Sequence, residues 1–131
     1  MNRTKLAIPC MGEIDLQARV SPHFGRCDSY AIVTIEEGRI KAIEPMSNRN
    51  HTDCDGSVRT LAKDGVELML VGAIGRRPHL AFKELGIEVR CGITGTIAEA
   101  VESYLKGETI LMEQDDAMLC FALLCKCHHQ V

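Results

Sequence analysis

Strand-length apolar runs and helix-period stripes alternate along the second half of the chain, after a first half built of strands alone. Leu6-Ala-Ile-Pro-Cys10 is the first run, and Pro9 marks its end or an irregularity in it. Met11 to Arg19 is polar and mixed, the pattern of a loop or short hairpin. Tyr30-Ala-Ile-Val-Thr-Ile35 is rich in β-branched residues. A turn over Glu36-Glu-Gly-Arg39 separates it from Ile40-Lys-Ala-Ile43, which predicts an antiparallel hairpin. Val66-Glu-Leu-Met-Leu-Val71 is almost continuously apolar, as a central strand covered on both faces should be. Ile87-Glu-Val-Arg-Cys91 is the last run of this kind. The pattern therefore predicts strands near residues 5–10, 30–35, 40–44, 67–71 and 87–91.

Between and after these runs the period changes from two to about 3.6. Val58, Leu61 and Ala62 share one helical face, with Asp53 or Asp55 available as caps. Pro78 suits the first turn of a second helix, whose apolar residues are Leu80, Ala81, Phe82 and Leu85. Thr96-Ile-Ala-Glu99 has capping-box spacing, and Ile97, Val101, Tyr104 and Leu105 form a stripe behind it. Helices are expected near 54–64, 77–85 and 96–106. Strands alternating with helices in this order imply a mixed sheet with helices on both faces.

Composition narrows the function classes. The chain has 131 residues, 46% hydrophobic and 25% charged, which suits a soluble domain with a sizeable core. A net charge of −3 gives no electrostatic footprint for nucleic acid, and the absence of Trp leaves little for base stacking. The start lacks the long apolar segment of a signal peptide, and no run approaches the roughly 20 apolar residues that span a bilayer. A cytoplasmic protein that engages neither nucleic acid nor membrane is the expectation. Seven cysteines without a secretion signal argue for free thiols or metal ligands over a disulfide frame.

Candidate chemistry lies in three places. In Val20-Ser-Pro-His-Phe-Gly-Arg-Cys27, Pro22 and Gly25 shape a turn that displays His23 and Phe24, with Cys27 four residues beyond the histidine. An imidazole and a thiol on one loop suit a soft or borderline metal; the same spacing suits a structural turn with Phe24 plugging the core and His23 solvated. His51 and Cys54, in the loop after the hairpin, could converge with His23 and Cys27 at one end of the sheet. The tail carries Cys120, Cys125, Cys127, His128 and His129, a ligand-rich ending that could equally bind metal only adventitiously. The turns Gly72-Ala-Ile-Gly75 and Gly92-Ile-Thr-Gly95 are ordinary strand-to-helix turns, with a secondary use as a cradle for an anionic cluster. Asp15, Asp28, Asp53 and Asp55 are the carboxylates a metal-dependent hydrolase would need, though no hydrolytic motif accompanies them.

Lys5-Leu-Ala-Ile-Pro, Val20-Ser-Pro-His-Phe-Gly-Arg, Val71-Gly-Ala-Ile-Gly, Leu85-Gly-Ile-Glu-Val and Gly95-Thr-Ile-Ala-Glu-Ala-Val-Glu-Ser-Tyr-Leu-Lys-Gly107 occur in this order. The series resembles the dinitrogenase iron–molybdenum cofactor biosynthesis family, the small carrier domains related to NifX and the C-terminal part of NifB. The resemblance implies a ribonuclease H-like three-layer α/β/α fold with a five-stranded mixed sheet. It implies a domain over residues 1–107, followed by a Cys/His-rich tail over 108–131. It also implies a non-catalytic carrier of an iron–molybdenum or other metal–sulfur cluster, with His23 as a ligand and cluster donor and acceptor proteins as partners. A protein-interaction or regulatory module of the same fold, without a cluster, is the alternative. Neither the cluster nor the oligomeric state follows from the sequence.

Overall fold

A computed structural model describes residues 3–12, 15, 17–22, 24, 27, 29–47 and 54–112, with the side chains of 47 and 54–57 excepted. Its elements run β1 (Arg3–Met11), β2 (Arg19–Val20), β3 (Ser29–Glu36), β4 (Arg39–Ser47), α1 (Cys54–Lys63), β5 (Leu68–Leu70), α2 (Arg76–Glu84), β6 (Glu88–Cys91), α3 (Ile97–Leu105) and β7 (Ile110–Leu111). The strands form one mixed sheet in the order β4-β3-β1-β5-β6-β7, with β2 pairing β1 off this path. β3 runs antiparallel to β1 and β4, β5 runs parallel to β1 and β6, and β7 closes antiparallel on β6.

The fold is thus α/β, with three helices and a seven-stranded mixed sheet. This corrects the expected ribonuclease H-like architecture with its five-stranded sheet. The two additional strands, β2 and β7, are two residues long. A segment that short has no periodicity to read; only its backbone pairing makes it a strand. Cys10 pairs Val20 and Met11 pairs Arg19 at one end, and Arg90 pairs Leu111 and Cys91 pairs Ile110 at the other. The sheet consequently continues past Gly107, and Met112 is buried with its N–H donating to the Val89 carbonyl at 2.9 Å.

Alternation along the strands divides the core between the two faces of the sheet. Ala7, Tyr30, Ile32, Met69 and Val89 face one side, where Val58 and Leu61 of α1 and Phe82 of α2 cover them. Leu6, Ile8, Ala31, Val33, Leu68 and Leu70 face the other, against Ile97, Ala100 and Val101 of α3. The β3–β4 hairpin turns through Glu37 and Gly38, both at positive φ (54° and 77°), the conformation whose twist matches that of the flanking strands.

Pro9 does not end β1. Its carbonyl accepts from Ser21 N–H at 2.7 Å, on the side away from β3. A residue's N and carbonyl point to the same side of a strand, so the missing proline donor falls where β3 needs none. The ladder with β3 runs on to the Cys10–Ser29 pair.

The capping box of α3 forms as the spacing predicts. Thr96 Oγ1 accepts from Glu99 N–H at 3.2 Å, and Glu99 Oε1 accepts from Thr96 N–H at 2.9 Å. Thr96→Ala should therefore cost about 1 kcal/mol, read as a lowered urea midpoint at unchanged m-value, while Glu99→Gln, which keeps an acceptor, should cost less. Equal stability of Thr96→Ala and the parent chain would show that the cap contributes nothing.

Candidate functional site

β1 extends beyond the end of β5. Its register with β5 covers Leu6–Leu68 and Ala7–Met69, whereas Cys10 and Met11 pair β2 instead. β2 is in turn tied to the start of α3. Val20 N–H donates to the Gly95 carbonyl and Ile97 N–H to the Ala18 carbonyl, both at 2.9 Å, and Arg19 bridges Thr96. Between these elements and the ends of β5 and β6 lies a cavity of about 360 Å³. Met11, Arg19, Val20, Pro22, Gly72 and Ile93 line it, together with Thr94 and Gly95. It sits beyond the C-terminal ends of the parallel strands, where open α/β sheets place their ligands.

Pro22 and Phe24 are placed beside this cavity by close backbone contacts. A Cβ on Gly72 would lie 3.2 Å from the Pro22 carbonyl oxygen and 3.5 Å from that of Ile93. A side chain at 72 would need the Pro22 backbone to give by a few tenths of an ångström, so glycine lets the segments meet at this spacing. Phe24 N–H donates to the Ala73 carbonyl at 3.1 Å, and its ring packs edge-on to Phe82 (5.3 Å between centroids) and tilted on Tyr30 (5.7 Å). Phe24 thus anchors the turn in the core, as the structural reading of that turn requires.

Of the residues singled out as ligands, Cys27 is buried and outside any disulfide. Cys54 begins α1, and its side chain is outside the description. His23, His51, Cys125, Cys127, His128 and His129 lie outside the described residues, as do Asp28 and Asp53. Asp15 accepts from Gln17 N–H at 2.8 Å, closing its own turn. Among the described residues there is no group of three or more His, Cys, Asp or Glu side chains that could hold a metal ion. None of the described helices is long and apolar enough to cross a membrane. Cys91, fully buried on β6, is disulfide-bonded, which departs from the expectation of free thiols; Cys10 and Cys27 are in no disulfide.

Gly72 and Gly95, from the two strand-to-helix turns, line the cavity. Sequence reasoning missed Met11 and Arg19, because the two-residue β2 that pairs them is too short to carry a pattern. The available signal was the polar stretch from Met11 to Arg19, whose hairpin alternative is what forms.

The chain is thus a small protein with a mixed α/β sheet and a cavity at the C-terminal ends of its parallel strands. The family model for the dinitrogenase iron–molybdenum cofactor matches residues 4–107, and the chain belongs to that family. It is 38% identical over 108 residues to an uncharacterised protein of Methanocaldococcus jannaschii, a match covering 79% of this chain and 87% of that one. It is also similar in structure to the apo form of the orange protein from Desulfovibrio gigas, with a TM-score of 0.73 and 25% identity over 83% of this chain and 92% of the other.

Cys10 is the buried thiol nearest to this machinery in sequence. Burial pushes it from 9.0 up to about 12, a backbone hydrogen bond at Ala31 opposes the shift, and Cys27 adds to it. Its Sγ also contacts the Ile8 carbonyl oxygen at 3.1 Å, so the thiol is held as a donor and not as a thiolate ligand. The folded chain keeps this proton to higher pH than the unfolded chain. The stability it contributes is full below about pH 9 and is lost as pH rises from there toward 12. The difference in urea midpoint between the parent and Cys10→Ala should accordingly shrink as pH is raised past about 9. A difference that stays constant would mean that the thiol is not held protonated.

Proposed function

We propose that this chain binds an iron–molybdenum or related metal–sulfur cluster at the loop end of its sheet and passes it from a donor to an acceptor protein, without catalysing a reaction. The carrying observation is the coincidence of two features. The family match spans residues 4–107, and its most specific segment, Val20 to Arg26, borders the cavity through Val20 and Pro22. The proposed cargo is a substrate to be handed on, which sets a chemical requirement. Four fixed thiolates would trap it, whereas a few soft ligands beside an open cavity allow release.

His23 is the proposed first ligand, with Cys27, His51 and Cys54 as further candidates and the tail residues Cys125, Cys127, His128 and His129 as an alternative set. Cys27 could join only if its buried thiol is uncovered. The second reading is an interaction or regulatory module of the same fold without a cluster. A cytoplasmic location fits either reading.

Anaerobic reconstitution with iron, sulfide and molybdate separates the two. The carrier reading expects stoichiometric metal with visible charge-transfer bands; a chain that stays apo under every condition supports the interaction module. A neutral imidazole must make the bond, so cluster retention should weaken as pH falls through the ordinary histidine range near 6.5. His23→Ala should lower occupancy several-fold with an unchanged circular dichroism spectrum. Wild-type occupancy in that variant would move the ligand role to the tail residues.

A further inference from the structure

The cross-strand pair Met11–Arg19 sets the chemistry of the cavity. The two residues stand directly opposite in the β1–β2 ladder, so their side chains project to the same face, and both line the cavity. Met11 is 46% exposed, a large apolar side chain left wet at a cavity mouth. Arg19 is exposed and makes no side-chain hydrogen bond or ion pair among the described residues. Glu99, whose carboxylate lies against Gly95, is committed to the N–H and Oγ1 of Thr96. Val20, Pro22 and Ile93 add apolar lining, and Thr94 adds a hydroxyl. Among the described residues, the result is a pocket with a guanidinium that no carboxylate meets, set in a mostly apolar or polarisable lining.

We propose that Arg19 is the positioning residue for the cargo, recognising it as an anion, and that β2 exists in this fold to hold that guanidinium over the cavity. The inference rests on the carrier reading above. Sulfide-rich metal clusters are anionic and strongly polarisable. Entering an apolar pocket costs an anion its hydration, and a guanidinium offsets that cost by offering several donors to the sulfur surface. The backbone of Arg19 is fixed on both sides, by Met11 in β1 and by Thr96 at the start of α3, so the side chain starts from a rigid base. Its charge supplies a contact that needs no bond to the metal. The cargo can then be steadied while its coordination sites remain open to exchange.

The test uses the full chain, reconstituted anaerobically with iron, sulfide and molybdate, in four forms: wild type, Arg19→Met, Arg19→Lys and Arg76→Met. Arg76 lies on α2, outside the cavity, and serves as the charge-matched control. Metal and sulfide per chain, visible absorbance and circular dichroism are read at low and high ionic strength. Arg19→Met should retain cluster about tenfold more weakly, with an unchanged circular dichroism spectrum and little remaining salt dependence. Arg19→Lys should recover most of the retention, and Arg76→Met should match wild type. A wild type that takes up no cluster overturns both the carrier reading and this inference. A wild type that loads, with Arg19→Met loading equally and with the same salt dependence, overturns the role of Arg19 alone and leaves the carrier reading standing. Loss of retention in Arg76→Met equal to that in Arg19→Met would reduce the effect to net charge and also reject the assignment.

Discussion

The site depends on a change of partner along β1. Near its middle, β1 is a central strand, with β3 on one side and β5 on the other. Past Ala7 the β5 side gives way, and the strand's far end takes β2 instead. Pro9 stands at this changeover. Its carbonyl holds Ser21, and its lack of an N–H matters least there, because β5 no longer supplies acceptors along that edge. Had β5 kept pace with β1, the space now lined by Val20, Pro22 and Ile93 would be sheet interior. The cavity is therefore a consequence of unequal strand lengths: β1 has nine residues and β5 three.

The principal elements were legible in the sequence for physical reasons. The buried strand at Leu68–Leu70 reads as an unbroken apolar run because both its faces are covered, and α3 announces itself through Thr96 and Glu99, whose side chains have one local job. β2 and β7 were not legible, and they are what changes the five-stranded expectation to a seven-stranded sheet. Two residues cannot display a period, and their strand character comes from partners distant in sequence: Cys10 and Met11 for β2, Arg90 and Cys91 for β7.

The same distinction runs through the candidate site. Gly72 and Gly95 were visible as strand-to-helix turns, since glycine marks such places whatever the turn is used for. Phe24 was visible as a core plug beside a displayed turn, and it does pack on Tyr30 and Phe82. Arg19 was not visible, because an arginine in a polar stretch is ordinary until a ladder places it over a cavity. Cys10 looked like any other thiol of a cysteine-rich chain. Only its burial and its contact with the Ile8 carbonyl separate it from a ligand.

Gly95 has a consequence for how this protein could be altered over generations. Its backbone sits at φ +85°, and a Cβ there would collide with the carboxylate of Glu99 that caps α3. Position 95 is thus closed to substitution unless the helix start is rebuilt with it, and Gly72 is nearly as constrained by the Pro22 backbone. One wall of the cavity is inherited as a unit with the fold. The opposite wall, formed by Met11 and Arg19, is held by main-chain pairing that tolerates many side chains. Diversification of what the cavity accepts should therefore be concentrated at those two positions, while the glycine wall stays the same beneath it.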